Sequence, residues 1–140
     1  MRRSTPLRIG LAATALALWT GMHVTAFAQD APTVETRDAG DLGTILTDSN
    51  GMTLYTYSPD TAGTSTCYDK CAVAWPPATV SGDPVAPDGL AGSLGVTERT
   101  DGSEQLTYNG MPLYTYADDK DSEDTYGQGI GGVWWVVNPS

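Results

Sequence analysis

The chain has one histidine, one phenylalanine and two cysteines in 140 residues, and seven basic residues against seventeen acids. His23 and Phe27 both stand before Gln29, as do Arg2, Arg3 and Arg8. Everything from Gln29 onward therefore lacks imidazole, the usual acid–base group near neutral pH and the commonest ligand for zinc and copper. No Gly-x-Ser-x-Gly occurs, and neither Lys70 nor Lys120 stands in a motif that would make it the base for a serine nucleophile. Acid pairs exist, but carboxylates are too common here to single one out. No catalytic residue is expected, and an enzyme is not. Residues 29–140 keep four bases (Arg37, Lys70, Arg99, Lys120) against all seventeen acids, a formal charge of −13. Such a charge repels phosphates and anionic lipids, so nucleic acid is not an expected partner. No second long apolar run follows the first, so no membrane span is expected.

The first run reads as an export signal. Arg2, Arg3 and Arg8 make a basic start, Ile9 to Trp19 is uncharged and mostly apolar, and Ala26-Phe27-Ala28 offers small residues where a signal peptidase reads. Thr20, Gly21, His23 and Thr25 dilute the run well before the roughly 20 apolar residues of a span. Residues 1–28 are expected to be a signal peptide cleaved near Ala28, leaving a secreted or periplasmic protein. Residues 29–41 are polar and contain proline, and read as a flexible leader. Residues 42–140 are then one small domain, large enough for one modest core.

One motif occurs twice. Gly43–Asp60 reads GTILTDSNGMTLYTYSPD and Gly102–Asp119 reads GSEQLTYNGMPLYTYADD. The two align without a gap at an offset of 59, with nine of eighteen positions identical. The same offset carries Trp75 onto Trp134. This is an internal duplication, with repeat one over 43–80 and repeat two over 102–137, and it suggests a pseudo-two-fold domain. Asn50-Gly51 and Asn109-Gly110 predict type I′ hairpin turns, between Thr44–Asp48 and Met52–Tyr57 and between Glu104–Tyr108 and Met111–Tyr116. Alternation puts Leu54 and Thr56 on one face and Tyr55 and Tyr57 on the other, as with Leu113, Thr115, Tyr114 and Tyr116. Pro112 should start its strand or lie at an edge. Further strands are expected at Leu94–Thr100 and, as a buried strand, at Val133–Val137. Residues 81–93 read as a loop, and a helical turn or two is expected over Tyr68–Ala74, stopped by Pro76-Pro77. The fold class is all-β: antiparallel hairpins in two pseudo-symmetric repeats, with a short helical turn around the cysteines.

Tyr55-Thr56-Tyr57-Ser58-Pro59-Asp60 and Tyr114-Thr115-Tyr116-Ala117-Asp118-Asp119 resemble the signature of a bacterial family. That family is the secreted repeat of unknown function, also described as a predicted lipoprotein with a Tyr-x-(Phe/Trp/Tyr)-x-x-Asp motif. Cys67 to Pro77 and Gly127 to Val137 are similar to it as well. The resemblance covers roughly 43–137 and implies export and a two-repeat module, with no reaction, substrate or catalytic residue. The chain lacks the lipobox cysteine of many members, which favours a soluble form over a lipid-anchored one.

Cys67 and Cys71, an even pair outside the cytosol, read most simply as a disulfide within one helical turn. A redox dithiol or a metal thiolate remains open, and a thiol redox or electron-transfer accessory protein is the alternative function. Met52 and Met111 could join the cysteines as soft copper ligands, but each follows a turn and more simply packs on the sheet. Asp60 and Asp119 end the motif as turn-capping side chains or as cation ligands. In the run Asp118–Asp124, Asp119, Asp121 and Glu123 alternate like the first ligands of a calcium loop. Asp124 stands where that loop needs glycine and Ile130 where it needs glutamate, so an EF-hand is excluded. A cation-binding protein using Asp60, Asp119, Asp121 and Glu123 is a further alternative, with calcium or copper the ions in question. No cofactor is otherwise expected.

Tyr55, Tyr57, Tyr68, Trp75, Tyr108, Tyr114, Tyr116, Tyr126, Trp134 and Trp135 must supply most of the core. Adjacent Trp134 and Trp135 point to opposite faces of a strand, so one is buried and the other covered or displayed. Gly127-x-Gly129-x-Gly131-Gly132 is followed by no helix pattern and should bend the chain into the last strand. The leading expectation is a non-enzymatic binding or structural module of the envelope or extracellular space, its partner an envelope component, glycan or protein.

Overall fold

The computed structural model describes residues 31–139, together with Gly10, Thr20 and Gly21. The signal peptide expected at 1–28 and its cleavage site lie outside the described residues, those three apart. Among the described residues no helix is long and apolar enough to cross a membrane.

The fold is all-β. Strands β1 (Val34–Asp38) and β2 (Thr44–Asp48) form one antiparallel pair, and β3 (Tyr55–Tyr57) pairs with the last strand, β7 (Trp134–Val136). Strands β4 (Leu94–Glu98), β5 (Glu104–Tyr108) and β6 (Met111–Pro112) form a three-stranded sheet. Helix α1 is one short segment, Lys70–Ala74, inside the stretch where the sequence places it. The run Val133–Val137 yields strand only at Trp134–Val136, and it is not buried throughout, because Trp135 is 43% exposed.

Residues of the expected leader are not free chain. Val34–Asp38 is β1, paired along its whole length with β2, and Val34 is fully buried. The polar side chains of β1 suggest a leader, but Glu35, Thr36 and Asp38 are exposed and Arg37 half-buried while Val34 enters the core. The repeats therefore begin before Gly43 and Gly102. Hairpins β1–β2 and β4–β5 are equivalent, and Val34 of one corresponds to Leu94 of the other, an offset of 60.

That offset of 60 exposes an error in the gapless alignment. Strand β2 maps onto β5 at the same offset, Thr44 onto Glu104, whereas the chain after the turns keeps the offset of 59. The difference is taken up in the turns. Asn109 and Gly110 both have positive φ (49° and 85°) and connect Tyr108 to Met111 directly, as a type I′ turn requires. In the turn of repeat one only Gly51 has positive φ (82°), and Ser49-Asn50-Gly51 makes a three-residue loop closed by the Asp48 N–H to Met52 O bond at 2.9 Å. Asp48 stabilises that loop by accepting the N–H groups of Asn50 and Met52 on one carboxylate oxygen. The type I′ expectation is thus right for Asn109-Gly110 and wrong for Asn50-Gly51.

The strands after the turns do not continue as simple hairpin arms. Leu54 N–H bonds Leu46 O and Leu113 N–H bonds Leu106 O, and there each arm turns away. Beyond that point the repeats exchange their ends. Val137, from repeat two, accepts the Leu46 N–H of repeat one, and Ala78, from repeat one, accepts the Leu106 N–H of repeat two. At the centre Tyr55 and Tyr114 trade both backbone bonds (2.8 and 3.0 Å), so the pseudo-two-fold axis passes between them.

Both faces of the central strands are buried. Leu46, Leu54, Leu106 and Leu113 join Val34, Tyr108 and Val137 in an aliphatic cluster. Ile45, Tyr55, Tyr114, Trp75, Trp134, Val136 and Cys67 form an aromatic cluster on the other side. Each of the four leucines is worth roughly 2 kcal/mol by burial.

Candidate functional site

The repeated Tyr-x-Tyr-x-x-Asp motif is the centre of the aromatic cluster. A turn follows each Tyr-x-Tyr: Asp60 N–H bonds Tyr57 O (2.9 Å), and Asp119 N–H bonds Tyr116 O (3.1 Å). This aims each aspartate inward, and both are buried. Neither carboxylate accepts a tyrosine hydroxyl of its own repeat. Tyr55 Oη donates to Asp119 Oδ2 at 2.7 Å, and Tyr114 Oη donates to Asp60 Oδ2 at 2.5 Å. The motif is a reciprocal clasp between repeats.

The remaining carboxylate oxygens are occupied as well. Asp60 Oδ1 accepts the N–H and hydroxyl of Thr66 (2.8 and 2.7 Å), and Asp119 Oδ1 accepts the Tyr126 N–H (3.0 Å). Burial raises the Asp119 carboxyl above its ordinary value, against the lowering effect of the bonds from Tyr55 and Tyr126. Burial, and then the bond to a carboxylate, pushes Tyr114 up to about 12 and Tyr55 higher still. Both phenols are therefore neutral donors throughout the physiological range.

Asp60 ends a longer polar chain. Arg99, 3% exposed, donates from Nη1 to Ser65 Oγ and Gln105 Oε1 (both 2.8 Å) and from Nη2 to Cys67 O (2.7 Å), with its guanidinium 4.2 Å over the Tyr68 ring. Ser65 Oγ lies 2.6 Å from Tyr114 Oη. The phenol's one proton goes to Asp60, so Ser65 donates to Tyr114, and the bonds run from the cation to the carboxylate through two hydroxyls. Arg99, Ser65, Thr66 and Gln105 belong to no motif that the sequence displays. The one available signal is Arg99 itself, one of only four bases after Ala28 and set at the end of a strand.

The second tyrosine of each motif and the offset-matched tryptophans form a four-ring stack. Tyr57 lies on Trp134 (4.3 Å between centroids, 19° between planes), Trp134 on Trp75 (3.9 Å, 4°) and Trp75 on Tyr116 (4.2 Å, 27°). Tyr55 and Tyr114 meet Trp75 and Trp134 edge-on (5.4 and 5.2 Å). Gly127 seats this cluster: a Cβ there would stand 2.7 Å from Trp75 Cη2 and 2.8 Å from Tyr55 Cε1. Its N–H donates to Tyr55 Oη at 3.2 Å.

Cys67 and Cys71 form a disulfide, with Cα atoms 5.2 Å apart and Cys67 fully buried beside the rings. The four carboxylates of the cation reading are not brought together. Asp60 and Asp119 are buried under opposite tyrosines, while Asp121 and Glu123 are exposed in a loop closed by Asp124, which accepts the N–H groups of Lys120 and Asp121. Among the described residues no three His, Cys, Asp or Glu side chains converge as metal ligands, and Met52 and Met111 follow turns. The exposed large apolar side chains include Trp135, whose indole N–H donates to Ser58 Oγ at 3.2 Å, and Tyr126.

Comparison with known proteins agrees with the repeat geometry. No curated protein and no solved structure matches the chain. A family model matches twice, over residues 36–79 and 95–138, which takes in most of β1 and of β4 and covers more than half of the chain. With two matched copies interlocked through their shared motif, the chain belongs to the family described as a secreted repeat of unknown function.

Proposed function

We propose that the mature protein, released by cleavage near Ala28, is a non-enzymatic binding and structural module of the envelope or extracellular space. One observation carries this reading: the groups a catalyst would need are engaged in holding the repeats together. Asp60, Asp119, Tyr55, Tyr114 and the two terminal nitrogens of Arg99 are all committed to partners inside the fold. Such a core is a rigid support for a surface. On that surface Trp135 is displayed at 43% exposure, fixed by its bond to Ser58. A fixed indole beside hydroxyls suits the flat face of a sugar ring, so an envelope glycan is the ligand class favoured here.

The test is co-sedimentation of residues 29–140 with isolated peptidoglycan, for the parent and for Trp135→Ala. Retention by the parent and loss in the variant is the expected result. Reproducible substrate turnover by the purified protein, or equal behaviour of the two proteins, overturns the reading.

A further inference from the structure

The two repeats turn equivalent strand edges outward, and only one of them is defended. The bonds from Arg99 N–H to Ser103 O and from Asn109 N–H to Ser93 O fix which residues of β4 face β5. Antiparallel bonding alternates, so Gly95 and Thr97 bond β5, while the N–H and C=O groups of Leu94, Val96 and Glu98 point the other way. No described backbone group bonds those outward groups. By the same alternation Val34, Thr36 and Asp38 face outward on β1. Proteins blunt such edges with charge, because an open edge pairs with other chains. Strand β1 carries Glu35, Arg37 and Asp38, and Asp38 turns back to accept the Gly40 N–H. Strand β4 reads Leu-Gly-Val-Thr-Glu, with no charge before its last residue, and Val96 is 37% exposed.

The charged end of β4 is frustrated as well. Glu98 and Glu104 stand directly opposite each other in the register, where like charges are destabilising. Both are exposed, at an open cleft of about 490 Å³ that Ser81 and Ser103 also line and no base does. Arg99, next in the chain, gives no relief, because its terminal nitrogens donate inward to Ser65, Gln105 and Cys67. What the pair lacks is a cation from outside, and the excess of acids over bases draws a basic partner toward it.

We propose that the outer edge of β4 is a docking site for an extended basic segment of another protein, which adds antiparallel to the β4–β5–β6 sheet as a further strand. The segment's backbone takes the outward N–H and C=O groups of Leu94, Val96 and Glu98. Its base lies opposite Glu98, contacts that carboxylate and reaches toward Glu104, one strand further on. An apolar side chain two positions after the base then lies beside Val96 and covers it. This edge is separate from Trp135, which lies on β7, so it does not depend on the glycan reading.

The test is fluorescence anisotropy of residues 29–140 with a fluorescein-labelled peptide of core Lys-Thr-Val-Thr-Val, whose lysine matches Glu98 and whose valines match Val96 and Leu94. A second probe is the same peptide N-methylated at both valines, which keeps its charge and loses the N–H groups that face β4. Saturable binding of the first probe and none of the second is the expected result. Val96→Pro should abolish binding of the first probe. The Val96 N–H points away from β5, so proline there blocks the edge without removing a ladder bond. The double variant Glu98→Gln, Glu104→Gln should weaken binding by about tenfold or more, as loss of a charged hydrogen bond does. Absence of saturable binding, or binding that survives N-methylation, overturns the proposal. So does a parent dimer by sedimentation that Val96→Pro dissolves, since the edge then serves a second copy of this chain. Should Val96→Pro lose its fold by circular dichroism, the N-methylated probe, which leaves the protein unchanged, decides the matter.

Discussion

Gly127→Ala should be among the most damaging single-methyl changes available to this protein. The added Cβ would stand 2.7–2.8 Å from Trp75 Cη2, Trp75 Cζ3 and Tyr55 Cε1. None of these atoms can yield freely. Trp75 is fixed between Trp134 and Tyr116, and Tyr55 is fixed by its bond to Asp119 and by its two backbone bonds to Tyr114. Overpacking a well-filled core costs typically about 1–3 kcal/mol, and rigid neighbours place this site near the upper end. At about 4–8 °C per kcal/mol for a domain near this size, the melting temperature should fall by roughly 10 °C or more. The assay is a thermal melt of residues 29–140 followed by near-ultraviolet circular dichroism, where the stacked indoles report directly. Loss of that signal's intensity at low temperature should accompany the lower midpoint. An alanine variant with the parental midpoint and spectrum would refute the claim that the rings are held without slack.

High pH should unfold the protein through its two inner phenols. Their folded pKa values lie above the ordinary 10.0, so the stability they carry is complete below pH 10 and is lost as pH rises through about 12, the Tyr114 value. Spectrophotometric titration should show Tyr55 and Tyr114 ionising late and together with the loss of structure. Arg99→Met leaves Ser65 Oγ, Gln105 Oε1 and Cys67 O short of a buried donor, and should cost about 3 kcal/mol in urea unfolding. Reducing Cys67–Cys71 opens a loop with a sequence separation of only 4, so it should cost about 2 kcal/mol and leave the repeats folded. Residues 29–93 alone should stay unfolded by circular dichroism, because β3 then lacks β7 and Asp60 lacks Tyr114.

Much of this architecture is written in the chain, but unevenly. The duplication, the all-β class, the short helix before Pro76-Pro77 and the opposite fates of Trp134 and Trp135 follow from identity, turn residues and alternation. The register does not follow. A gapless match of Gly43–Asp60 to Gly102–Asp119 is the best sequence alignment, yet a three-residue loop at Ser49–Gly51 faces a two-residue turn at Asn109-Gly110. Identity after the turn masks a one-residue slip before it. Val34–Asp38 reads as leader because only its first side chain is buried in the core, and one buried valine makes no periodic signal. The cross-repeat pairing is out of reach for a different reason. Periodicity shows which side chains share a face, but not whether a strand's partner comes from its own copy or from the other. Tyr55 bonds Asp119 across a sequence separation of 64, and nothing local distinguishes that pair from Tyr55 and Asp60.

That distinction is open to one direct measurement, a pair of double-mutant cycles in urea. Tyr55→Phe combined with Asp119→Asn should be non-additive by about 1 kcal/mol or more, since the two side chains share one buried hydrogen bond. Tyr55→Phe combined with Asp60→Asn should show the smaller coupling, although Asp60 lies only five positions away in the sequence. The larger coupling between Tyr55 and Asp60 would contradict the reciprocal clasp, and with it the account of why the motif occurs twice.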